Sequence, residues 1–115
     1  MTEEDMIHVE DWDKIDLRVG KITSVEDHPN ADKLYVLKVD FGGKVGERTI
    51  VAGLREHCTP ETLKGKSAIF IINLEPRELR GIKSEGMILA AINHDKSKVC
   101  FLEPSEDIES GSEIS

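Results

Sequence analysis

Apolar and polar residues alternate along the first part of the chain with a period of two, which is typical of β-strands. From Ile15 to Val19 every second residue is apolar. The apolar phase then shifts at Gly20, because the next apolar residue is Ile22. A phase shift at a glycine predicts a β-bulge or a sharp bend. Such a bend would let one long strand serve both halves of a curled sheet, as small barrels require.

Further segments of this kind follow, separated by turn-forming residues. In the second strand, one face is lined by the apolar residues Tyr35, Leu37, Val39 and Phe41. Two later segments are apolar at successive positions, which is expected of strands that are covered on both faces. We therefore predict additional strands at residues 34–41, 48–52, 67–73, 87–92 and 99–102.

Short helices are predicted at two places. Between the third and fourth strands, Thr59 suits the N-cap, Pro60 the first helical position and Gly65 the end of the helix. Ahead of the first strand, Asp11 to Ile15 would form one helical turn. Trp12 in that turn would seal an end of the core or contact another subunit.

The order of the elements predicts the fold. Three strands, a short helix and two further strands follow one another as in an OB-fold. We therefore predict an all-β fold, a five-stranded Greek-key barrel with a short helix between strands 3 and 4. The strand at residues 99–102 would be a C-terminal extension. The chain would then consist of a flexible acidic N-terminus (residues 1–10), one folded domain (11–102) and an acidic tail (103–115).

The distribution of charge matters more than its total. A net charge of −8 at pH 7 argues at first against a nucleic-acid partner. However, residues 1–13 carry six acids, residues 103–115 carry five, and neither end has a lysine or arginine. Residues 14–102 therefore hold twelve acids and all fifteen bases, a net charge of +3. Because local potential governs the attraction of phosphate, a polyanionic ligand stays possible, with salt-sensitive binding.

Location follows from the ends and the apolar runs of the chain. The N-terminus, MTEEDMIH, lacks the basic and then apolar order of a signal peptide. The longest aliphatic runs, residues 68–72 and 87–92, are too short to cross a bilayer. We expect a cytoplasmic protein that does not bind membranes.

Signals for catalysis or metal binding are sparse. No GxSxG, HExxH, P-loop or Rossmann glycine motif occurs, so we predict no enzymatic activity of its own and no cofactor. Cys58 and Cys100 form no CxxC pair and are expected to be reduced thiols. A zinc site would require the fold to assemble ligands that lack a metal-binding spacing: His57, Cys58, His94 and Cys100.

The segment at residues 73–91, NLEPRELRGIKSEGMILAA, carries three cations at three-residue intervals before an apolar strand. Gly81 and Gly86 would allow a ligand to approach its backbone closely. A cationic, glycine-containing loop at the mouth of a strand favours an anionic ligand. The alternative is that the cations are solvated and paired with nearby glutamates: Arg77, Arg80 and Lys83 with Glu75, Glu78 and Glu85.

Four segments together resemble a known family. They are DLRVGKI at residues 16–22, HPNADKLYVLKVDFG at 28–42, IVAGL at 50–54 and the cationic segment at 73–91. Over these segments the chain resembles the tRNA-binding domain that is appended to some methionyl- and tyrosyl-tRNA synthetases and that also forms free-standing dimeric proteins. The resemblance implies an OB-fold that binds tRNA by its structure, largely independently of sequence.

The resemblance also assigns binding residues by position. In the motif LRGIKSEGM the matching residues are Arg80, Ser84, Glu85 and Met87, and in HPNADK they are Asn30 and Lys33. Arg77 and Lys83 are nearby bases that we add because of their charge.

Each of these residues has an expected role. The cations would contact phosphate, and Ser84 would donate to phosphate or to a base edge. Met87 would lie against an exposed base or, alternatively, in the core. Glu85 would accept from an exocyclic amine or orient Arg80 or Lys83. Asn30 would contact RNA or simply form its turn.

The resemblance implies a non-catalytic module that is accessory to an aminoacyl-tRNA synthetase. It would be the β subunit or an accessory domain of methionyl-tRNA synthetase, or a free-standing homodimer. The chain has only five aromatic residues, mostly on apolar faces, which argues against a general binder of single strands. Two alternatives stay open, a dimeric export-type chaperone that binds unfolded polypeptide and a protein-binding adaptor.

Overall fold

A computed structural model describes all 115 residues, Met1 to Ser115. The chain is built mainly from strands: β1 Leu17–Asp27, β2 Tyr35–Asp40, β3 Glu47–Ala52, β4 Ser67–Ile71, β5 Arg77–Leu79, β6 Ile82–Ser84, β7 Met87–Ile88, β8 Ala90–Ile92 and β9 Val99–Phe101. Helix is limited to single turns: a 3₁₀ turn at Glu3–Asp5, α1 at Val9–Trp12 and α2 at Pro60–Leu63. None of these helices has the length and apolar character required to cross a membrane.

Five strands form one antiparallel sheet in the order β3-β2-β1-β4-β7. The sheet curls around β1, because Leu17–Lys21 pair with β4 whereas the remainder of the strand, from Lys21 to Asp27, pairs with β2. The two ends of the sheet nearly meet, which confirms the predicted five-stranded barrel and its long first strand.

The irregularity in β1 does not lie at the predicted residue. The register against β2 shifts between Ile22 and Ser24, rather than at Gly20. Gly20 instead allows close packing, since a Cβ at this position would lie 2.5 Å from Val39 Cγ1 and 2.6 Å from Phe41 Cε1. The apolar phase shift therefore occurs where the side chains of Val39 and Phe41 pack directly on the backbone of β1.

The core follows the alternation of β2. Tyr35, Leu37, Val39 and Phe41 are each at most 3% exposed. Phe41 meets Phe70 of β4 edge to face, with ring centroids 5.3 Å apart. Trp12 does not seal this core, because 41% of it is exposed; a subunit contact stays the prediction for this residue.

Helix α2 forms where the sequence predicts it. Thr59 Oγ1 accepts the N–H of Thr62 at 3.3 Å, and Pro60 is the first helical residue. The helix ends before Gly65, which has a φ of +84°. Leu63 is fully buried and holds this single turn against the barrel. Helix α1 lies two residues earlier than the turn predicted at Asp11 to Ile15.

The strand predicted at residues 87–92 is divided between two sheets. Met87 and Ile88 pair with β4 in the barrel, whereas Ala90–Ile92 pair with β9 outside it. Leu89 separates the two parts, since its N–H donates to Ile69 and its carbonyl accepts from Leu102. The predicted C-terminal extension strand thus exists and pairs only with β8.

The cationic segment, predicted as a loop, contains a β-hairpin. Strands β5 and β6 pair through Arg77–Ser84, Glu78–Lys83 and Leu79–Ile82. Each strand has only three residues, and its mixture of charged and apolar residues gives too little alternation to predict a strand. The hairpin leads directly into β7 and is therefore attached to the end of the barrel sheet.

The C-terminal segment is not a free acidic tail over its last residues. Val19 of β1 accepts from Gly111 N–H at 2.7 Å and donates to Ser112 O at 2.9 Å, and Ile114 N–H donates to Leu17 O at 2.9 Å. These bonds occupy the edge of β1 that β2 leaves uncovered. The segment acts as an additional partner of the barrel.

Arg18 fastens this segment with its side chain. Its Nε lies 2.8 Å from Asp16 Oδ1, and a terminal guanidinium nitrogen lies 3.1 Å from Glu113 Oε1. The hydrogen bond to Asp16 raises the pKa of Arg18 above its ordinary value. Arg18 is thereby committed to the fold and is not available to a ligand.

Deleting residues 110–115 should lower the free energy of unfolding by about 2–4 kcal/mol, because three backbone hydrogen bonds worth about 0.5–1.5 kcal/mol each are lost. Thermal unfolding followed by circular dichroism measures this change. Glu113→Gln removes only an exposed ion pair and, as the control, should cost about 1 kcal/mol or less. An unchanged melting temperature after the deletion would contradict the role given to the segment.

Candidate nucleic-acid interface

Arg80 occupies the tip of the β5–β6 hairpin. Arg80 and Gly81 form the two-residue turn, and both have positive φ, 53° and 91° respectively. Two positive φ values mark a type I′ turn, in which Asn-Gly is a preferred pair. For an arginine this conformation costs about 1–2 kcal/mol. Arg80 is thus an exposed cation held in a strained conformation at the hairpin tip.

The hairpin separates the cations that the sequence places at equal intervals. Cross-strand partners share a face, so Arg77 lies on the face of Ser84, which is buried. Lys83 pairs with Glu78 and lies on the opposite, exposed face. The three cations therefore do not form one compact cluster. Arg80 lies at the tip of the hairpin, and Arg77 and Lys83 lie on its two faces.

All the predicted basic site residues are free of ion pairs. The four ion pairs of the chain involve other cations, namely Lys14, Arg18 twice and Arg55. The alternative in which Arg77, Arg80 and Lys83 pair with neighbouring glutamates is therefore not what the structure shows. Four exposed cations stay available to a ligand: Lys33, Arg77, Arg80 and Lys83.

Lys33 and Asn30 lie in the turn between β1 and β2, and both are exposed. His28 N–H donates to Leu34 O at 3.1 Å and closes this turn at its base. Arg55 donates to Ala31 O at 3.3 Å and supports the turn from another loop. The side-chain amide of Asn30 makes no hydrogen bond within the protein, so turn formation does not consume it.

Ser84 and Glu85 join the two ends of the barrel sheet. The Val51 N–H of β3 donates to Ser84 Oγ at 2.9 Å, and the Thr49 N–H donates to Glu85 Oε1 at 3.2 Å. Glu85 N–H donates in return to Thr49 O at 2.8 Å. These side-chain oxygens accept the hydrogen bonds that the carbonyl groups of a neighbouring strand would accept in a continuous sheet. We call this contact between β3 and residues 84–86 the closure seam.

The closure seam limits the contacts that Ser84 and Glu85 can make with a ligand. Ser84 is 5% exposed, and its hydroxyl donates to Gly86 O at 3.0 Å. No hydroxyl hydrogen is left for a phosphate, and the Glu85 carboxylate forms no ion pair with Arg80 or Lys83. Arg48, which the sequence gave no reason to select, reinforces the seam by donating to Ile72 O at 2.6 Å and Glu85 O at 3.2 Å.

Met87 lies beside an open groove rather than in the core. It is 45% exposed. The groove has a volume of about 290 Å³ and lies between the hairpin, the end of β3 and β7. Ten of its fifteen lining residues are hydrophobic, and its charged lining residues are Glu75 and Arg77. The groove can accept a flat or aliphatic group next to the exposed Arg77.

The acidic C-terminal region lines a different cleft. Five of its residues, 103–107, share that cleft with Lys21 and Lys66. None of them lines the groove beside Met87. The carboxylates of Glu103, Glu106 and Asp107 therefore line a cleft separate from that groove.

The candidate zinc ligands do not assemble. The structure contains no group of three or more His, Cys, Asp or Glu side chains that could hold a metal ion. Cys58 and Cys100 line one cleft, in which burial raises the pKa of the Cys58 thiol. A protonated thiol is a poor metal ligand at neutral pH.

Comparison of the sequence with known protein families identifies the family of the chain. A family model for a tRNA binding domain matches residues 17–113. The chain belongs to the tRNA binding domain family. The match confirms the family that the four motifs indicate and extends beyond them into the C-terminal segment paired with β1.

Individual relatives agree with this assignment. A methionine–tRNA ligase from Pyrococcus furiosus is 49% identical over 108 residues, which are 94% of this chain and 14% of the ligase. A MetRS related protein from Pyrococcus horikoshii has a solved structure with a TM-score of 0.89, 34% identity and coverage of 96% of this chain and 99% of that one. The solved structure of the CsaA chaperone protein from Picrophilus torridus has a TM-score of 0.87 and 34% identity. The match covers 96% of this chain and 100% of that one. The chain thus matches these two proteins over 99% and 100% of their length but only 14% of the ligase.

Ser84→Ala should destabilise the protein by about 1–3 kcal/mol, because the buried Val51 N–H loses its acceptor. Chemical denaturation monitored by circular dichroism measures the change. Ser105→Ala, at an exposed serine without a hydrogen bond, is the matched control and should be neutral. If Ser84→Ala left stability unchanged, the seam would not depend on this hydroxyl.

Arg80→Asn should stabilise the protein by about 1 kcal/mol, because asparagine tolerates positive φ and suits a type I′ turn. The melting temperature should rise accordingly. Lys83→Asn places the same side chain in β6, where asparagine is disfavoured, and should give no gain. A lower melting temperature for Arg80→Asn would mean that the arginine contributes to folding after all.

Proposed function

We propose that this chain binds tRNA through exposed cations on the turn at residues 28–34 and on the β5–β6 hairpin. The observation that carries the proposal is that Lys33, Arg77, Arg80 and Lys83 are all exposed and without ion pairs. Such cations can replace the counterions of phosphates without first breaking an internal contact. The family of the chain supports tRNA as the polyanion.

The aromatic residues favour a folded RNA over a single strand. Three of the five aromatic residues, Tyr35, Phe41 and Phe70, are buried in the core and cannot stack on bases. Binding would therefore depend on the positions of phosphates in a folded RNA, with Met87 and its groove taking at most one displaced base. This accounts for recognition of structure with little dependence on sequence.

The module would act by tethering rather than by catalysis. We propose that the chain serves as the β subunit or an accessory domain of methionyl-tRNA synthetase. Its 49% sequence identity over 108 residues of a methionine–tRNA ligase supports this role. A tRNA held by this module is presented to a linked catalytic domain at a high effective concentration. The cytoplasm, where tRNA is aminoacylated, is the expected location.

Lys33→Ala and Arg80→Ala should each weaken tRNA binding about tenfold, because each removes one charge-assisted contact. Each should also flatten the dependence of log K on log salt by about one unit. Titration of labelled tRNA across a salt series measures both quantities. Lys64→Ala removes an exposed lysine outside the site and is the control.

Two outcomes would contradict this proposal in different ways. If the wild-type protein does not bind tRNA at low salt, the function is wrong. If it binds but both variants behave like the wild type, the function stands and the assignment of these cations is wrong.

A second function is favoured by the apolar groove and by the likeness to a chaperone. Apolar residues dominate the lining next to Met87, which would suit a segment of unfolded polypeptide. Competition between labelled tRNA and a reduced, unfolded protein discriminates the two functions. Binding of the polypeptide at the groove without any affinity for tRNA would make the chaperone role the better description.

We further propose that the chain forms a homodimer through its exposed apolar residues. Trp12, Ile92 and Leu102 are 41%, 59% and 39% exposed. Light scattering at micromolar concentration should give twice the mass of the 12.8 kDa chain. Trp12→Asp should shift the protein towards the monomer, whereas Glu4→Gln in the same exposed region should not. A wild-type monomer at this concentration would contradict the proposal.

A further inference from the structure

His28 is a buried polar residue between the two elements that carry the exposed cations. It is 2% exposed and begins the turn that contains Lys33. Its Nε2 lies 2.9 Å from the carbonyl oxygen of Leu79, the last residue before the hairpin tip. Its Nδ1 accepts the Asn30 N–H at 3.0 Å.

These two partners define the state of the ring. A carbonyl oxygen can only accept, so Nε2 carries the hydrogen that is donated to Leu79. A backbone N–H can only donate, so Nδ1 carries none. The imidazole is therefore the neutral Nε2–H tautomer, and each nitrogen contacts a different element.

No other hydrogen bond or ion pair joins the turn to the hairpin. Between Arg77 and Lys83, the bond from His28 to Leu79 is the only one to a residue outside the hairpin. A hairpin of three-residue strands is marginally stable by itself. Its orientation is therefore set by the packing of β6 against β3, by Ser84 at its base and, near the tip, by the hydrogen bond from His28.

We propose that His28 is the positioning residue that holds the Arg80 tip at a fixed distance from the Lys33 turn. This inference rests on the proposed function, since it concerns how the two elements act on one RNA. Phosphates of a folded RNA have fixed separations, and cations on a mobile hairpin would lose conformational entropy on binding them. A hairpin fixed in advance avoids this loss.

Two conservative substitutions separate the roles of the two ring nitrogens. His28→Gln places an amide nitrogen near Nε2, retaining a donor to Leu79 O, but loses the acceptor for Asn30 N–H. His28→Asn retains an acceptor near Nδ1 and loses the donor to Leu79 O. His57→Ala removes an exposed imidazole from another loop and is the matched control.

The expected results follow from the hydrogen bond that each variant keeps. His28→Asn should weaken tRNA binding about tenfold and flatten the salt slope by about one unit, as Arg80→Ala does. His28→Gln should stay within about threefold of the wild type and keep its salt slope. All titrations are made where circular dichroism shows each variant to be fully folded.

A double-mutant cycle distinguishes positioning from general destabilisation. If His28 positions Arg80, then Arg80→Ala should have little further effect in the His28→Asn background. An undiminished effect of Arg80→Ala in that background would overturn the inference, as would equal binding by His28→Asn and the wild type. If the wild type fails to bind tRNA at all, the proposed function fails and the inference fails with it.

Discussion

The barrel depends on closing the edge of β3 that faces away from β2. The Thr49 and Val51 N–H groups on this edge have no strand partner, and a buried N–H left unpaired costs about 1–3 kcal/mol. Ser84 and Glu85 supply side-chain oxygens in place of carbonyl groups. Gly86 completes the contact because a Cβ there would lie 2.9 Å from Ile71 O. The closure seam gives Ser84, Glu85 and Gly86 a structural role in this chain.

The position of the candidate interface follows from the seam. The β5–β6 hairpin ends at Ser84, so closing the barrel also fixes the base of the hairpin. Its tip lies next to the buried ring of His28, which is attached to the turn carrying Lys33. Each of the two motifs thus contains both buried and exposed residues. Buried positions hold the barrel together, and exposed positions carry the cations.

An acidic chain can present unpaired cations because only some of its basic residues form ion pairs with its acids. Arg18 binds Asp16 and Glu113, and Arg55 binds Asp27, so these cations stabilise the fold. Pairing of the C-terminal segment with β1 keeps part of the acidic end at a defined position away from the groove. The cations of the turn and the hairpin have no such partners. Net charge therefore says little about the potential that a bound polyanion would experience.

The pattern of apolar residues predicted the barrel strands, the capped helix α2 and the core face of β2, because burial repeats with the period of the local backbone. The sequence also selected Lys33, Arg77, Arg80 and Lys83 as candidate cations, whereas the structure was needed to show that they form no ion pair. The roles of Ser84, His28 and the C-terminal segment become visible only in the folded chain. Their partners lie 33, 51 and 93 residues away, between Ser84 and Val51, His28 and Leu79, and Arg18 and Gly111. No local pattern encodes such contacts, because a hydrogen bond between distant segments depends on which backbone edge the closed barrel leaves unpaired.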